Sequence, residues 1–129
     1  MWTDFISDKK QWLAIFGNGY TPTNLSISHA IFSDNAITLK LFSHLTGNSY
    51  PEKWMKNGYN EYTFDLIING VTTVEIINFS FYGPLELEIK KHNNNYEIKT
   101  TINTLCNFAC SASAIFITNI KAYHNDGAV

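Results

Sequence analysis

The chain has 129 residues, 45% of them hydrophobic, 15% aromatic and only 16% charged, with a formal net charge of -2. A domain of this size can bury one core without disulfide or metal staples, its hydrophobicity excludes intrinsic disorder, and it lacks the basic balance that nucleic-acid binding requires. No run approaches the roughly 20 apolar residues that span a bilayer, and Met1-Trp2-Thr3-Asp4 has no basic region ahead of an apolar stretch, so the expectation is one cytoplasmic domain over residues 1–129, with neither nucleic acid nor membrane as partner.

The first segment reads as a helix. Ser7-Asp8 offers a capping oxygen and an early acid, and Trp12, Ile15 and Phe16 recur at i, i+3 and i+4 as one apolar stripe. Gly17 stands where a left-handed C-cap is wanted. So short a helix depends on docking that stripe.

After Pro22 the period changes to two. Leu25, Ile27 and Ile31 alternate with polar residues, Asp34-Asn35 makes a turn, and Ile37, Leu39 and Leu41 return, which predicts a hairpin. A loop follows, through Gly47-Asn48-Ser49, Pro51 and Trp54 to Asn57-Gly58. Tyr62, Phe64, Leu66 and Ile68 then share a face. Asn69-Gly70 suits a type I′ turn, so Val71 to Ile77 is expected to pair back as a second hairpin.

Gly83-Pro84 punctuates before Leu85, Leu87 and Ile89 alternate with Glu86, Glu88 and Lys90. Asn93-Asn94-Asn95 turns the chain into Tyr96, Ile98, Thr100 and Ile102. From Leu105 to Tyr123 small and apolar residues fit a strand pair covered on both sides, although Ala112 to Ile117 could also form a helix; β-branched content favours strand. The tail from His124 to Val129 carries no structure signal and is expected to fray. About seven or eight strands at roughly ten-residue spacing predict a mainly β fold, an antiparallel meander forming a sandwich or partial barrel with one short N-terminal helix.

Motifs for chemistry are sparse. His29, His44, His92 and His124 are scattered singly, without a metal-ligand pair. Cys106 and Cys110 would lie about 13 Å apart on one side of a strand, too far for a disulfide and without the further ligands zinc needs, so buried free thiols are expected. Neither a serine elbow nor a phosphate loop occurs. Glu86 and Glu88 share a strand face about 7 Å apart, but that face reads as solvated. No cofactor, metal or catalytic residue is expected.

Aromatic density is the outstanding feature. Tyr20, Tyr50, Trp54, Tyr59, Tyr62, Phe79, Phe81 and Tyr82 fall in or beside loops, with Glu52, Glu61 and Asp65 between some of them. Large rigid amphipathic rings suit recognition surfaces, and interspersed acids suit a basic partner.

The order of landmarks resembles the immunity protein 50 family of bacterial polymorphic toxin systems. The resemblance runs from Trp12-Leu13-Ala14-Ile15-Phe16-Gly17 through Leu25 and Ile27, Pro51-Glu52-Lys53-Trp54, and Tyr62, Phe64, Leu66 and Asn69-Gly70-Val71. It continues with Leu85, Leu87 and Ile89, Phe108-Ala109-Cys110-Ser111-Ala112, and Ile117-Thr118-Asn119-Ile120 up to Tyr123. It implies a small cytoplasmic protein that binds a cognate protein toxin and blocks it without catalysis. Residue type then nominates Tyr50, Glu52, Trp54, Tyr59 and Glu61 as partner contacts. Two other readings stand beside this one: a small-ligand or carbohydrate-binding β module, and a hydrolase in which His29 or His44 works with a carboxylate.

Overall fold

A computed structural model describes residues 1–47 and 50–127. A 3-10 turn over Trp2–Phe5 precedes helix α1 (Lys10–Phe16). Strands β1 (Leu25–Ser33) and β2 (Ala36–His44) lead to a short helix α2 (Glu52–Lys56), and then β3 (Glu61–Asn69) and β4 (Thr73–Ile77) follow. The chain continues through β5 (Gly83–His92), β6 (Asn95–Ile102), β7 (Cys106–Ala112) and β8 (Ala114–Tyr123). Every strand pairing is antiparallel, in the order β4-β7-β6-β5-β1-β2-β3-β8. The fold is therefore mainly β with a short N-terminal helix, and the sheet folds over a core without closing.

Local chemistry explains most elements. The helix begins one residue later than Ser7-Asp8 suggested: Lys9 is its N-cap, without a side-chain cap, and Asp8 Oδ1, just ahead of it, accepts from the Lys10 amide at 3.3 Å. Gly17, at φ 72°, ends it with its N–H donating to Leu13 O. Trp12 and Phe16 are buried, and their rings meet the β3 face: Trp12 lies 5.3 Å from Phe64 and Phe16 lies 5.0 Å from Tyr62. Trp2 joins them, stacked on Phe64. The whole N-terminal segment is thus an aromatic lid on Tyr62, Phe64, Leu66 and Ile68, all fully buried.

Two meanders make up the sheet, β1-β2-β3 and β5-β6-β7. Between them lies a short ladder in which Leu25–Ile27 face Leu85–Gly83. Each meander receives its fourth strand from the other. β4 continues β3 but pairs with β7, while β8 continues β7 but pairs with β3. The hairpin expected at Asn69-Gly70 is consequently absent. Turn chemistry marks where a chain can bend, not which neighbour it joins, and both edges of β3 are already occupied by β2 and β8. Likewise β7 and β8 are strands, with no helix, but they are not partners of each other.

Both crossovers meet at one corner. The β3/β8 ladder stops at Asn69 opposite Ala114, and the β4/β7 ladder resumes at Thr73 opposite Ser111. The Ser113 amide donates to Asn69 O at 3.0 Å and the Thr72 amide donates to Ser111 O at 2.9 Å. The Val71 amide ties the corner to the β1–β2 turn by donating to Asn35 O at 2.8 Å. Gly70 sits in the crease at φ +67°, where a Cβ would stand 2.0 Å from Ser113 Oγ.

A register shift in β1 between Ile27 and His29 overturns another expectation. The bulge moves Ile31 to the outer face, 53% exposed, and carries Phe32 to the side of Phe108, its ring 6.2 Å away. A period-two reading cannot register the extra residue. The loop expected through Gly47-Asn48-Ser49 lies partly outside the described residues, since positions 48 and 49 are not among them. Its later part holds α2, which turns Trp54 inward. Over residues 124–127 the tail lies against the loop before β3. Asn125 exchanges two hydrogen bonds with Asn60, at 2.7 and 2.8 Å, and His124 Nδ1 lies 3.1 Å from Gly58 O.

Gly70→Ala should lower stability by about 2–4 kcal/mol, combining a positive-φ penalty with the collision at Ser113. Urea unfolding of Gly70→Ala with and without Ser113→Gly should recover the steric share only. An undiminished midpoint in the single variant would refute the tight corner.

Candidate functional site

The five residues nominated from sequence lie around α2 and the start of β3, but their side chains are mostly committed to the fold. Trp54 is 7% exposed and its ring meets Phe16 at 6.0 Å. Tyr50 and Tyr59 are half-buried against the core. Glu61 is 4% exposed, whereas Glu52 is open to solvent and pairs only with Lys56, at 3.5 Å. Burial therefore corrects the nomination of Trp54 and Glu61 as an exposed anchor and rim acid.

Why two acids are buried on an outward sheet face follows from register. β3 is flanked on both sides, so each acid is the middle of a three-strand row. Glu61 stands between His44 on β2 and Tyr123 on β8. The Tyr123 hydroxyl donates to Glu61 Oε1, the Asn125 amide donates to both carboxylate oxygens, and His44 Nδ1 is 3.3 Å from Oε2. Burial and the adjacent Glu61 push the Tyr123 phenol well above its ordinary range. Asp65 stands opposite Lys40, whose Nζ is 2.8 Å from Oδ1, and Asn119 Nδ2 donates to Oδ2 at 2.8 Å. Burial alone would raise the Asp65 pKa, but the Asn119 hydrogen bond, the Lys40 hydrogen bond and charge, and the His29 charge outweigh it and hold the carboxyl below its ordinary value.

Among the described residues His44 with Glu61 is the histidine–carboxylate pair in direct contact that matches the hydrolase reading. Its imidazole is 72% exposed, outside the water-excluded setting in which such pairs tune a general base. His29 instead lies 3.2 Å from Ser28 Oγ. Cys106 and Cys110 are buried free thiols, as expected, and burial pushes Cys110 up to about 12. Among the described residues no three His, Cys, Asp or Glu side chains are grouped to hold a metal. Glu86 and Glu88 are exposed, and Glu88 pairs with Lys90 at 3.4 Å.

Two surfaces stand out among the described residues. At the short β1/β5 seam lies an open groove of about 460 Å³, lined by Thr23, Asn24, Ser26, His44, Glu86 and Thr101 among others. At the open side of the sheet lies an aromatic mouth. Phe81 is within 5.9 Å of Phe32, 5.4 Å of Phe108 and 5.1 Å of Phe79, forming a chain of edge-on rings from the core to the surface. Phe79 is 76% exposed, Phe32 and Val74 are about half exposed, and Tyr82, next to Phe81 in the chain, is 71% exposed. Phe32 and Val74 share the wall of a 270 Å³ cleft beneath the β1–β2 turn. Asn78, at φ 59°, bends the chain out of β4 and presents Phe79.

Phe79, Phe81 and Tyr82 were legible as loop aromatics. Phe32 and Val74 were not, because the bulge and the crossover of β4 bring them there. Scattered exposed apolar residues are ordinary, but a contiguous aromatic group beside a sheet edge marks an interaction surface.

The Asp65 network gives a pH-dependent expectation. A carboxyl depressed by folding contributes stability that is present above its unfolded value near 4 and is lost as pH falls through the lower folded value. Asp65→Asn should therefore lose roughly 1–2 kcal/mol at pH 7. In urea titrations across pH the gap to the parent protein should close as pH falls below about 4. A gap that stays constant through that range would contradict the assignment.

No family model, curated protein or solved structure matches this chain.

Proposed function

We propose that this chain is a non-enzymatic, cytoplasmic immunity protein that binds a cognate bacterial toxin and neutralises it by covering its active site. The observation that carries the reading is the aromatic mouth, in which Phe79 stands proud of a surface backed by Phe81, Phe32 and Phe108, with Tyr82 exposed beside Phe81 in the chain. Such rings lose little conformational entropy on docking and supply anchors of the kind that dominate interface energetics. The buried acids and thiols are absorbed by the fold, which leaves shape and apolar area as the exposed tools. The docking surface proposed here replaces Trp54 and Glu61 with Phe79, Tyr82 and Phe32. Among the described residues no helix is long and apolar enough to cross a membrane.

A second reading rests on the seam groove, whose volume falls within the range of small-ligand sites and whose walls carry hydroxyls, an amide, an imidazole and a carboxylate. Its lining, as described, includes no aromatic platform on which a sugar ring would stack. It therefore ranks second.

Coexpression with the toxin encoded beside it tests the first reading. The parent chain should co-purify with the toxin and restore growth, while Phe79→Ser and Tyr82→Ser should each weaken capture about tenfold or more with folding unchanged. Undisturbed capture by the double variant would sink this docking face. A rise in melting temperature with a glycan, and no toxin capture, would favour the groove instead.

A further inference from the structure

The two edges of the sheet are treated differently. β8 is protected: its Ile115 carbonyl accepts from the Ser7 amide at 2.8 Å, and its ladder is broken by an irregularity between Thr63 and Asp65, near Asn119 at φ 54°. β4 has a partner on one side only, β7, and four of its five residues are exposed. Open strand edges are normally blocked, because their backbone groups accept any further strand. On β4 the residue that could block it is Glu75.

The rows of the sheet show what Glu75 meets. Pairing places Glu88, Lys99, Ala109 and Glu75 side by side across β5, β6, β7 and β4. Lys99 has Glu88 directly beside it, whereas the strand neighbour of Glu75 is Ala109, which leaves Lys99 two strands away, about 10 Å. The neighbouring rows carry Thr73 with Ser111, and Ile77 with Asn107. Among the described residues Glu75 thus forms no ion pair at the centre of the outward face of β4, and it lines a 440 Å³ depression together with Glu86, Glu88 and, across Ala109, Lys99. On the inward face Val74 and Ile76 lie opposite Cys110 and Phe108, beside the aromatic mouth.

We infer that β4 takes up an extended segment of the partner protein as a ninth strand, and that this segment is apolar on its inward face with a lysine or arginine opposite Glu75. The inference rests on the partner-binding reading above and specifies its mode. Charge selects the occupant. A second copy pairing antiparallel and centred on the same residue would set Glu75 against Glu75, and like charges directly opposite are destabilising. Shifting that pairing by two residues avoids the clash but leaves only three of the five residues of β4 paired. A cation at the centre keeps the full register and supplies the charge that Ala109 does not. Backbone bonds along the edge give affinity, and the alternating side chains give selectivity.

The test uses the full chain, isotope-labelled, with a soluble synthetic strand of alternating threonine and valine bearing one central lysine, and a twin bearing glutamate there. The lysine strand should shift the amide resonances of Thr73–Ile77 and bind about fivefold tighter than its twin at low salt, the preference shrinking as salt rises. Glu75→Gln should remove the preference and Glu75→Lys should invert it. Shifts confined to the seam groove, a preference indifferent to Glu75→Lys, or dimerisation of the free chain through β4 would each overturn the proposal. These measurements need no toxin, so their failure while Phe79 and Tyr82 variants still lose capture would leave the docking face standing without the added strand.

Discussion

The arrangement depends on a close approach of backbone to side chain at the crease between Gly70 and Ser113. There β3 becomes β4 and β7 becomes β8, and each crossing chain leaves the meander that built it to complete the other. Because the crossings hydrogen-bond to one another, neither half-sheet can acquire its outer strand unless both do. The two four-stranded halves are joined as well by the Leu25–Ile27 ladder and by Phe32 of β1 against Phe108 of β7. The same crease leaves the sheet open, because β4 starts beside the β1–β2 turn and stands at the end of the strand order, paired with β7 alone. An open mouth needs a plug, and Phe32, Phe81 and Phe108 provide it.

Much of this was legible from residue order. Alternation marked Leu85 to Ile89, Tyr96 to Ile102 and Ile37 to Leu41 as half-buried strands, and Gly17 marked the end of α1. What failed was whatever required partner identity. Asn69-Gly70 has the residues of a tight hairpin, yet Gly70 is there for space against Ser113, and no local signal distinguishes those uses. The extra residue in β1 reverses the facing of everything after Ser28, which misplaced Ile31 and hid Phe32.

The candidate contacts went astray for a related reason. Trp54 and Glu61 looked like loop and rim residues because hydrophilic neighbours surround them in sequence. Trp54 is drawn inward by one turn of helix, and Glu61 is covered by His44 and Tyr123 from strands about 17 and 62 residues distant in the chain. A carboxylate becomes affordable at 4% exposure only when donors converge from both sides, and that convergence is a property of register. In the tail, likewise, Asn125 meets Asn60 and Glu61, partners that only the third dimension supplies.

The partner-binding reading proposed above rests on a difference between the two halves of the sheet. On the β2-β3-β8 face the acids are consumed in rows with His44, Lys40, Asn119 and Tyr123, so the charge there is locked and the surface is rigid. On the β5-β6-β7-β4 face the rows end on Glu75 with no cation opposite, and the adjoining loop carries exposed rings. A sheet finishing in an unpaired strand would ordinarily be an aggregation hazard. Here the central acid turns away copies of the same strand, while Phe79 and Tyr82, placed outside the ladder by the bend at Asn78, leave the edge itself clear. One charged residue thus serves both as a guard against self-association and as the feature a complementary strand would need to answer.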